Sequence, residues 1–131
     1  MKHRIPVAAL FALAVVSAMA DAAPGAAAQR EIGGLMQALE DSGCRFQRNG
    51  TWYPASDARS HLQRKYDYLL KRGQADTAEQ FIERAASRSS MSGKPYRVSC
   101  PGHAEQDSAP WFQQQLVRLR GHCRFRRKAF W

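Results

Sequence analysis

The sequence has few cysteines, and their spacing excludes some classes of site. Cys44, Cys100 and Cys123 are the three cysteines; they form no Cys-x-x-Cys pair, and the histidines are scattered along the chain. Structural zinc sites need four suitably spaced ligands, so we expect no metal site and no cofactor. The chain also lacks internal repeats, and no run after residue 20 is apolar enough to cross a membrane.

Acidic residues are fewer than basic ones, but the positive excess lies at the two ends of the chain. Of twenty Lys and Arg residues, two lie in residues 1–20 and six in residues 118–131. Residues 21–117 therefore hold twelve basic residues against eleven acidic ones. A nearly neutral body argues against a broad nucleic-acid-binding surface, so nucleic acid is not an expected partner.

Residues 1–20 have the three-part pattern of a secretory signal peptide. Lys2 and Arg4 form a positive start, residues 7–19 are apolar and uncharged, and Ala18-Met19-Ala20 fits a cleavage site. A membrane anchor is the alternative, but the apolar run is short for a membrane span. The sequence therefore predicts export, with the periplasm as the destination.

The chain length suits one small domain after this leader. We expect a signal peptide at residues 1–20, a flexible Ala-rich spacer at 21–28, a single domain at 29–120 and a basic mobile tail at 121–131.

Residues 44–53 predict a β-hairpin on which helices pack. Asn49-Gly50 favours a type I′ turn, because both central residues of that turn need positive φ angles. Cys44 and Phe46 alternate with polar residues before the turn, and Thr51-Trp52-Tyr53 brings strand-forming side chains after it. An exposed Asn-Gly loop is the alternative interpretation.

A third strand at residues 96–100 would complete the sheet, since a hairpin alone is marginally stable. Three cysteines allow three pairings. If the first and third strands are antiparallel neighbours, Cys44 and Cys100 lie side by side. If the third strand instead bordered the second, Cys100 would lie too far from Cys44 for a bond. In an oxidising compartment we therefore favour the Cys44–Cys100 disulfide, with Cys123 left over.

Apolar residues at helical spacing predict four helices, at residues 29–42, 56–72, 78–87 and 109–120. The fold class is therefore α+β: a small antiparallel three-stranded sheet, with strand order 2-1-3, packed by three to four helices.

Several segments, taken in order along the chain, resemble a known family. The longest are Ser42-Gly43-Cys44-Arg45-Phe46-Gln47-Arg48-Asn49-Gly50, Thr77-Ala78-Glu79-Gln80-Phe81-Ile82 and Ser92-Gly93-Lys94-Pro95-Tyr96. Shorter matches are His61-Leu62, Lys65, Ala86-Ser87, Ser89-Ser90 and Trp111. Over roughly residues 30 to 117, the chain is similar to the YfeK-like family of small exported bacterial proteins of unknown function. The resemblance implies export and one small domain, and it brings no catalytic residues.

Four residues on the hairpin and the second helix are candidates for binding. Arg48 and Tyr53 flank the turn and could form a contact patch. The alternative is that both are ordinary surface side chains of the strands. His61 and Lys65 lie one helical turn apart and could hold an anion or act as acid and base. The alternative for this pair is a histidine at the edge of the core beside a solvated lysine.

Two further candidates, Lys94 and Tyr96, follow a Ser-rich loop at residues 87–93. Gly93-Lys94 does not match the phosphate-binding loop, and it follows a helix end, where the dipole repels anions. A helix stop and turn is the simpler interpretation, although a peptide or glycan could bind through the hydroxyls and Tyr96. A nucleophilic Cys44–His61 pair would need a thiolate, which a disulfide removes.

We therefore expect a non-catalytic periplasmic protein that binds a protein or an envelope component. A small envelope hydrolase that uses His61 and nearby polar residues is the alternative. The tail at residues 118–131 combines cations with aromatic residues and could contact an anionic membrane surface. A disordered, solubilising tail is the other interpretation.

Overall fold

The computed structural model describes residues 25–128, and the side chains of residues 25–122. The predicted signal peptide at 1–20 lies outside the described residues, as do residues 21–24 and 129–131. The described elements, in chain order, are α1 (Ala26–Asp41), β1 (Arg45–Arg48), β2 (Thr51–Pro54), α2 (Ala55–Leu70), α3 (Ala78–Ala85), β3 (Arg97–Ser99), β4 (Gln106–Asp107) and α4 (Ser108–Lys128). The α+β class is confirmed.

The sheet is antiparallel and has the strand order β2-β1-β3-β4. The predicted order of the first three strands is confirmed, but the prediction of three strands is wrong. The additional strand β4 has only two residues, both polar, so it carries no period-two pattern. It pairs with β3, and an ion pair of 2.7 Å between Arg97 Nη1 and Asp107 Oδ1 joins the two strands.

The turn between β1 and β2 adopts the predicted geometry. Asn49 and Gly50 have φ angles of 49° and 82°, as a type I′ turn requires. The resulting register places Phe46 opposite Tyr53 on β2 and opposite Val98 on β3.

The core lies between one face of the sheet and the helices. Phe46 and Val98 project from the sheet into it. The apolar residues predicted on the first three helices are all buried, namely Ile32, Leu35, Met36 and Leu39 on α1, Ala58, Leu62, Tyr66 and Leu69 on α2, and Ala78, Phe81, Ile82 and Ala85 on α3. Helix α4 adds Trp111, Phe112 and Leu116.

Two helices extend beyond their predicted bounds. Helix α1 begins at Ala26 rather than Gln29, because alanine has the highest helix propensity. Helix α4 continues from the predicted end at Arg120 to Lys128. It passes through Gly121, whose cost of about 1 kcal/mol is offset by the helix-forming residues around it. The mobility of the tail stays a prediction.

Within residues 25–128, none of the helices combines the length and the apolar character needed to cross a membrane.

The predicted Cys44–Cys100 disulfide is present. Cys44 precedes β1 and Cys100 follows β3, and the pairing of Arg45 with Ser99 brings the two cysteines opposite each other. Their Cα atoms lie 4.2 Å apart, and their sulfurs are bonded.

Replacing both cysteines by serine should lower the free energy of unfolding by about 4 kcal/mol, because the bond closes a loop with a sequence separation of 56 residues. Denaturant unfolding measures the change. As a control, a reducing agent should destabilise the unaltered protein and leave the double variant unchanged. Equal destabilisation of both proteins would contradict the prediction.

Candidate functional site

One face of the sheet carries three of the six predicted binding residues. Arg48 lies two residues beyond Phe46, so both side chains project from the same face of β1. Tyr53 pairs with Phe46 across the hairpin, and Tyr96 lies two residues before Val98, the other partner of Phe46. Strand pairing therefore gathers these side chains on the face that helix α2 covers.

Helix α2 brings the other two residues to this face. His61 and Lys65 are four residues apart, so they lie one above the other on the same side of the helix. Arg48, His61, Lys65 and Tyr96 form a hydrogen-bonded group, called the cationic cluster below. Tyr53 lies beside it, with its ring centroid 5.2 Å from Cζ of Arg48, which is within the range of a cation–π contact.

The hydrogen bonds of the cluster determine the state of the histidine. Arg48 Nη1 lies 2.9 Å from His61 Nδ1, and a guanidinium can only donate. His61 Nδ1 is therefore the acceptor, and Nε2 carries the proton of the neutral imidazole. Nε2 then donates to the hydroxyl oxygen of Tyr96, at 3.1 Å.

Lys65 completes the cluster from the other side. Its Nζ donates to the Tyr96 hydroxyl at 3.1 Å and to the Arg88 carbonyl at 3.0 Å. Its Nζ also lies 5.0 Å from the centroid of the Tyr96 ring. Tyr96 thus accepts from both His61 and Lys65, which explains how a buried hydroxyl is satisfied.

Burial and neighbouring charge shift the protonation equilibria of the cluster. Burial, together with the positive charges of Arg48, Lys65 and Arg64, lowers the pKa of His61 to about 4. Burial and Arg48 lower the pKa of Lys65 to about 8. Burial also raises the pKa of Tyr96, against the opposing effect of Arg48. At neutral pH, His61 and Tyr96 are neutral and Lys65 is mostly charged.

The cluster contains cations without a counter-charge. Among the side chains that the structure describes, four Lys or Arg residues are half-buried: Arg48, Arg59, Lys65 and Arg97. Arg59 and Arg97 form ion pairs with carboxylates. No described carboxylate lies within ion-pair distance of Arg48 or Lys65.

A small open cavity lies beside the cluster. It has a volume of about 130 Å³ and is called the Arg48 pocket below. Its lining comprises Phe46, Arg48, Tyr53, Asp57, Ala58, His61 and Arg64. Asp57 and Arg64 were not predicted as site residues, although their positions four residues before and three after His61 are the helical spacing that could have indicated them.

The Ser-rich loop supports the cluster from outside. Asn49 Nδ2 donates to Ser89 Oγ at 3.4 Å, and Ser92 Oγ donates to Asn49 Oδ1. The loop is thereby held against the hairpin turn, where the carbonyl of Arg88 meets Lys65. Lys94 is exposed and does not join the cluster, because its side chain projects from the loop into solvent. Five of the six predicted residues therefore lie together.

Two other site hypotheses can be compared with the structure. The disulfide engages Cys44, so the thiolate that a Cys44–His61 pair requires is absent. Among residues 25–122, no group of three His, Cys, Asp or Glu side chains lies close enough together to hold a metal ion.

The His61 imidazole should titrate near pH 4, and Arg48→Gln should raise its pKa part of the way toward 6.5. The unfolded chain then binds more protons than the folded one between about pH 4 and 6.5. The free energy of unfolding should therefore fall as the pH is lowered through this range, and His61→Gln should remove that dependence. NMR of the imidazole and denaturant unfolding at several pH values measure both effects.

Arg45→Gln is the matched control for this titration, because Arg45 lies on the same strand and is exposed. It should leave the His61 midpoint unchanged. If Arg48→Gln moved the midpoint no more than Arg45→Gln, the contribution of Arg48 to the low pKa would be refuted.

Comparison with known proteins identifies the family of this chain. The model of a "Family of unknown function (DUF5329)" matches residues 26–120, well over half of the chain. The chain is also similar to the "Uncharacterized protein YfeK" of Salmonella typhimurium strain LT2, with 41% identity over 69 residues. This match covers 52% of the chain and 56% of the relative, so the chain spans about half the length of the curated relative that it matches. No solved structure matches the chain significantly.

The YfeK-like resemblance found in the sequence is thereby confirmed. The chain belongs to DUF5329, a family of unknown function.

Proposed function

We propose that this protein is exported to the periplasm and acts there as a non-catalytic binding protein. In this proposal, the Arg48 pocket holds an anionic group of a protein or envelope partner. The half-buried cations Arg48 and Lys65, which lack a described carboxylate partner, are the observation that supports it most strongly.

Unpaired, partly buried charge is costly, which is why most proteins pair it. The hydrogen bonds from Arg48 and Lys65 go to His61, Tyr96 and the Arg88 carbonyl, all of which are neutral. These partners accept hydrogen bonds from Arg48 and Lys65 but do not balance the positive charges of the two side chains. An anion in the Arg48 pocket would supply the missing negative charge and would raise the pKa values of His61 and Lys65.

The geometry of His61 favours binding over the hydrolase alternative. Both ring nitrogens are engaged, Nδ1 by Arg48 and Nε2 by Tyr96. A general base works best when its pKa is near the working pH, whereas the pKa of His61 is about 4. No described carboxylate hydrogen-bonds to the imidazole to orient it, and no described serine hydroxyl donates to it. His61 is therefore suited to holding Arg48 in position.

The proposed export is supported by the three-part pattern of residues 1–20. The Cys44–Cys100 bond is also consistent with an oxidising compartment. Intact-mass measurement of the full chain expressed in a bacterial host, after fractionation, tests it. A periplasmic species that begins at Asp21 is expected, and an uncleaved cytoplasmic chain would refute export.

Purified protein should bind small anions saturably in the Arg48 pocket, because the pocket has unbalanced positive charge. Titration with acetate and with sulfate at constant ionic strength should shift NMR signals of residues 46–64 and raise the pKa of the His61 imidazole. Arg48→Gln should weaken binding at least about tenfold, the effect of losing one charge-assisted contact.

Arg45→Gln again serves as the control and should leave the affinity unchanged. Absence of saturable binding by both anions, or an equal effect of both substitutions, would refute the site. Circular dichroism of each variant separates a loss of binding from a loss of folding.

A second proposal concerns the basic segment at residues 118–131, which could contact an anionic membrane surface. Helix α4 supports it, because its backbone remains helical to Lys128. Among the described side chains of α4, Leu119 is the last that packs against the core. Four cations follow in residues 124–128 of the sequence.

The full chain should bind phosphatidylserine-containing vesicles and not vesicles of phosphatidylcholine alone. Replacing Arg124, Arg126, Arg127 and Lys128 by Gln should weaken binding at least roughly 100-fold, since each such cation contributes about 1 kcal/mol at an anionic surface. Vesicle sedimentation measures the affinity of each protein for the vesicles. The control variant replaces four exposed cations of the body, Arg30, Arg45, Lys71 and Lys94. An equal loss in both variants would show that net charge, and not the tail, is responsible.

A further inference from the structure

We infer, on the basis of the binding function proposed above, that the Arg48 pocket recognises a single carboxylate on a short aliphatic stem, presented as an acidic side chain of a partner protein. A phosphate group is the competing ligand class. The size of the pocket excludes larger ligands, and its walls and its charge distinguish a carboxylate from a phosphate.

The size of the pocket limits the ligand to a few atoms. Its volume is about 130 Å³, whereas pockets for drug-sized ligands span roughly 300–1,000 Å³. A water molecule occupies about 30 Å³ of the liquid, so the pocket holds on the order of four to six heavy atoms. A carboxylate with two or three carbons fits this volume, and a sugar ring or a nucleobase does not.

Part of the wall of the pocket is apolar. Phe46 and Ala58 are buried and form part of the lining, and Tyr53 contributes its half-buried ring. Methylene groups gain free energy in such surroundings, because they leave water. Phosphate oxygens would lose hydrogen bonds to water at the same walls without replacing them.

The polar groups of the pocket favour a planar anion. The Arg48 guanidinium has five N–H donors, and one of them donates to Nδ1 of His61. The remaining donors include a parallel pair, which matches the two oxygens of a carboxylate. Tyr53 lies over the guanidinium and restricts its orientation.

The net charge of the lining also indicates one negative charge on the ligand. Arg48 and Arg64 are positive, Asp57 is negative and His61 is neutral at pH 7. Lys65 is directed to Tyr96 and the Arg88 carbonyl and is not part of the lining. The pocket therefore has an excess of one positive charge. A phosphate group carries about −1.5 to −2 at pH 7, so Asp57 repels it more strongly than it repels a carboxylate.

Butyrate, butyramide and inorganic phosphate are suitable probes for the purified full-length protein at pH 7 and constant ionic strength. NMR titration should give a dissociation constant for butyrate on the order of 1 mM, a typical value for a ligand of this size. Butyramide and phosphate should each bind at least about tenfold more weakly. Arg48→Lys keeps the charge and removes the parallel donors, so it should weaken butyrate binding about tenfold; Arg45→Gln should not change it.

Asp57→Asn provides a test of the charge argument. It should improve phosphate binding more than butyrate binding and so reduce the ratio of their affinities, because Asp57 repels the larger charge of phosphate more strongly. Preference for phosphate in the unaltered protein would overturn the inference and leave the proposed anion-binding function intact. Absence of binding by every anion would overturn both.

Two blocked peptides distinguish the sources of a carboxylate. N-acetylglutamate α-amide presents only a side-chain carboxylate, and N-acetyl-Ala-Ala presents only a chain terminus. Tighter binding of the first supports an acidic side chain as the ligand. Tighter binding of the second, or equal binding of butyramide and butyrate, would refute it.

Discussion

The pairing of β1 with β3, closed at one end by the Cys44–Cys100 bond, is the constraint on which the rest of the structure depends. Because successive side chains of a strand alternate between faces, a shift of one residue would turn Phe46 away from the core and Arg48 away from α2. The disulfide opposes such a shift, since it holds the residues beside Arg45 and Ser99 opposite each other. The core and the Arg48 pocket are therefore set by the same register.

Positive charge is paired with carboxylates at Arg120 but not at Arg48 and Lys65. Arg120 on α4 forms ion pairs with Glu31 on α1 and Glu79 on α3, so its charge links three helices. Arg48 and Lys65 instead donate to neutral groups, and their charge is not balanced by a described carboxylate. The first arrangement balances charge at the exposed junction of three helices. The second leaves half-buried positive charge to be balanced by something other than a described carboxylate.

Much of the cationic cluster was predictable as individual residues, but not as a cluster. Arg48 and Tyr53 were identified from the hairpin, and His61 and Lys65 from their helical spacing. The sequence alone could not join the two groups, because α2 meets the hairpin through packing. Asp57 and Arg64 were overlooked for the same reason: exposed charges on a helix are common, and only the position of Arg48 makes these two relevant. Lys94 was predicted because it follows the Ser-rich loop, and it lies apart from the cationic cluster.

Local chemistry determined the elements of this protein. Asn49 and Gly50 adopt the positive φ angles of the turn, and the apolar stripes on α1, α2 and α3 are buried as their spacing requires. The disulfide also followed from the sequence, because only the antiparallel pairing of the first and third strands brings Cys44 and Cys100 together. Tertiary structure alone decided the strand β4 and the protonation of His61. A strand of two polar residues carries no pattern of its own, so its pairing depends on the position that β3 takes in the folded sheet. The pKa of His61 depends on burial and on Arg48, which the fold brings against the imidazole from 13 residues away.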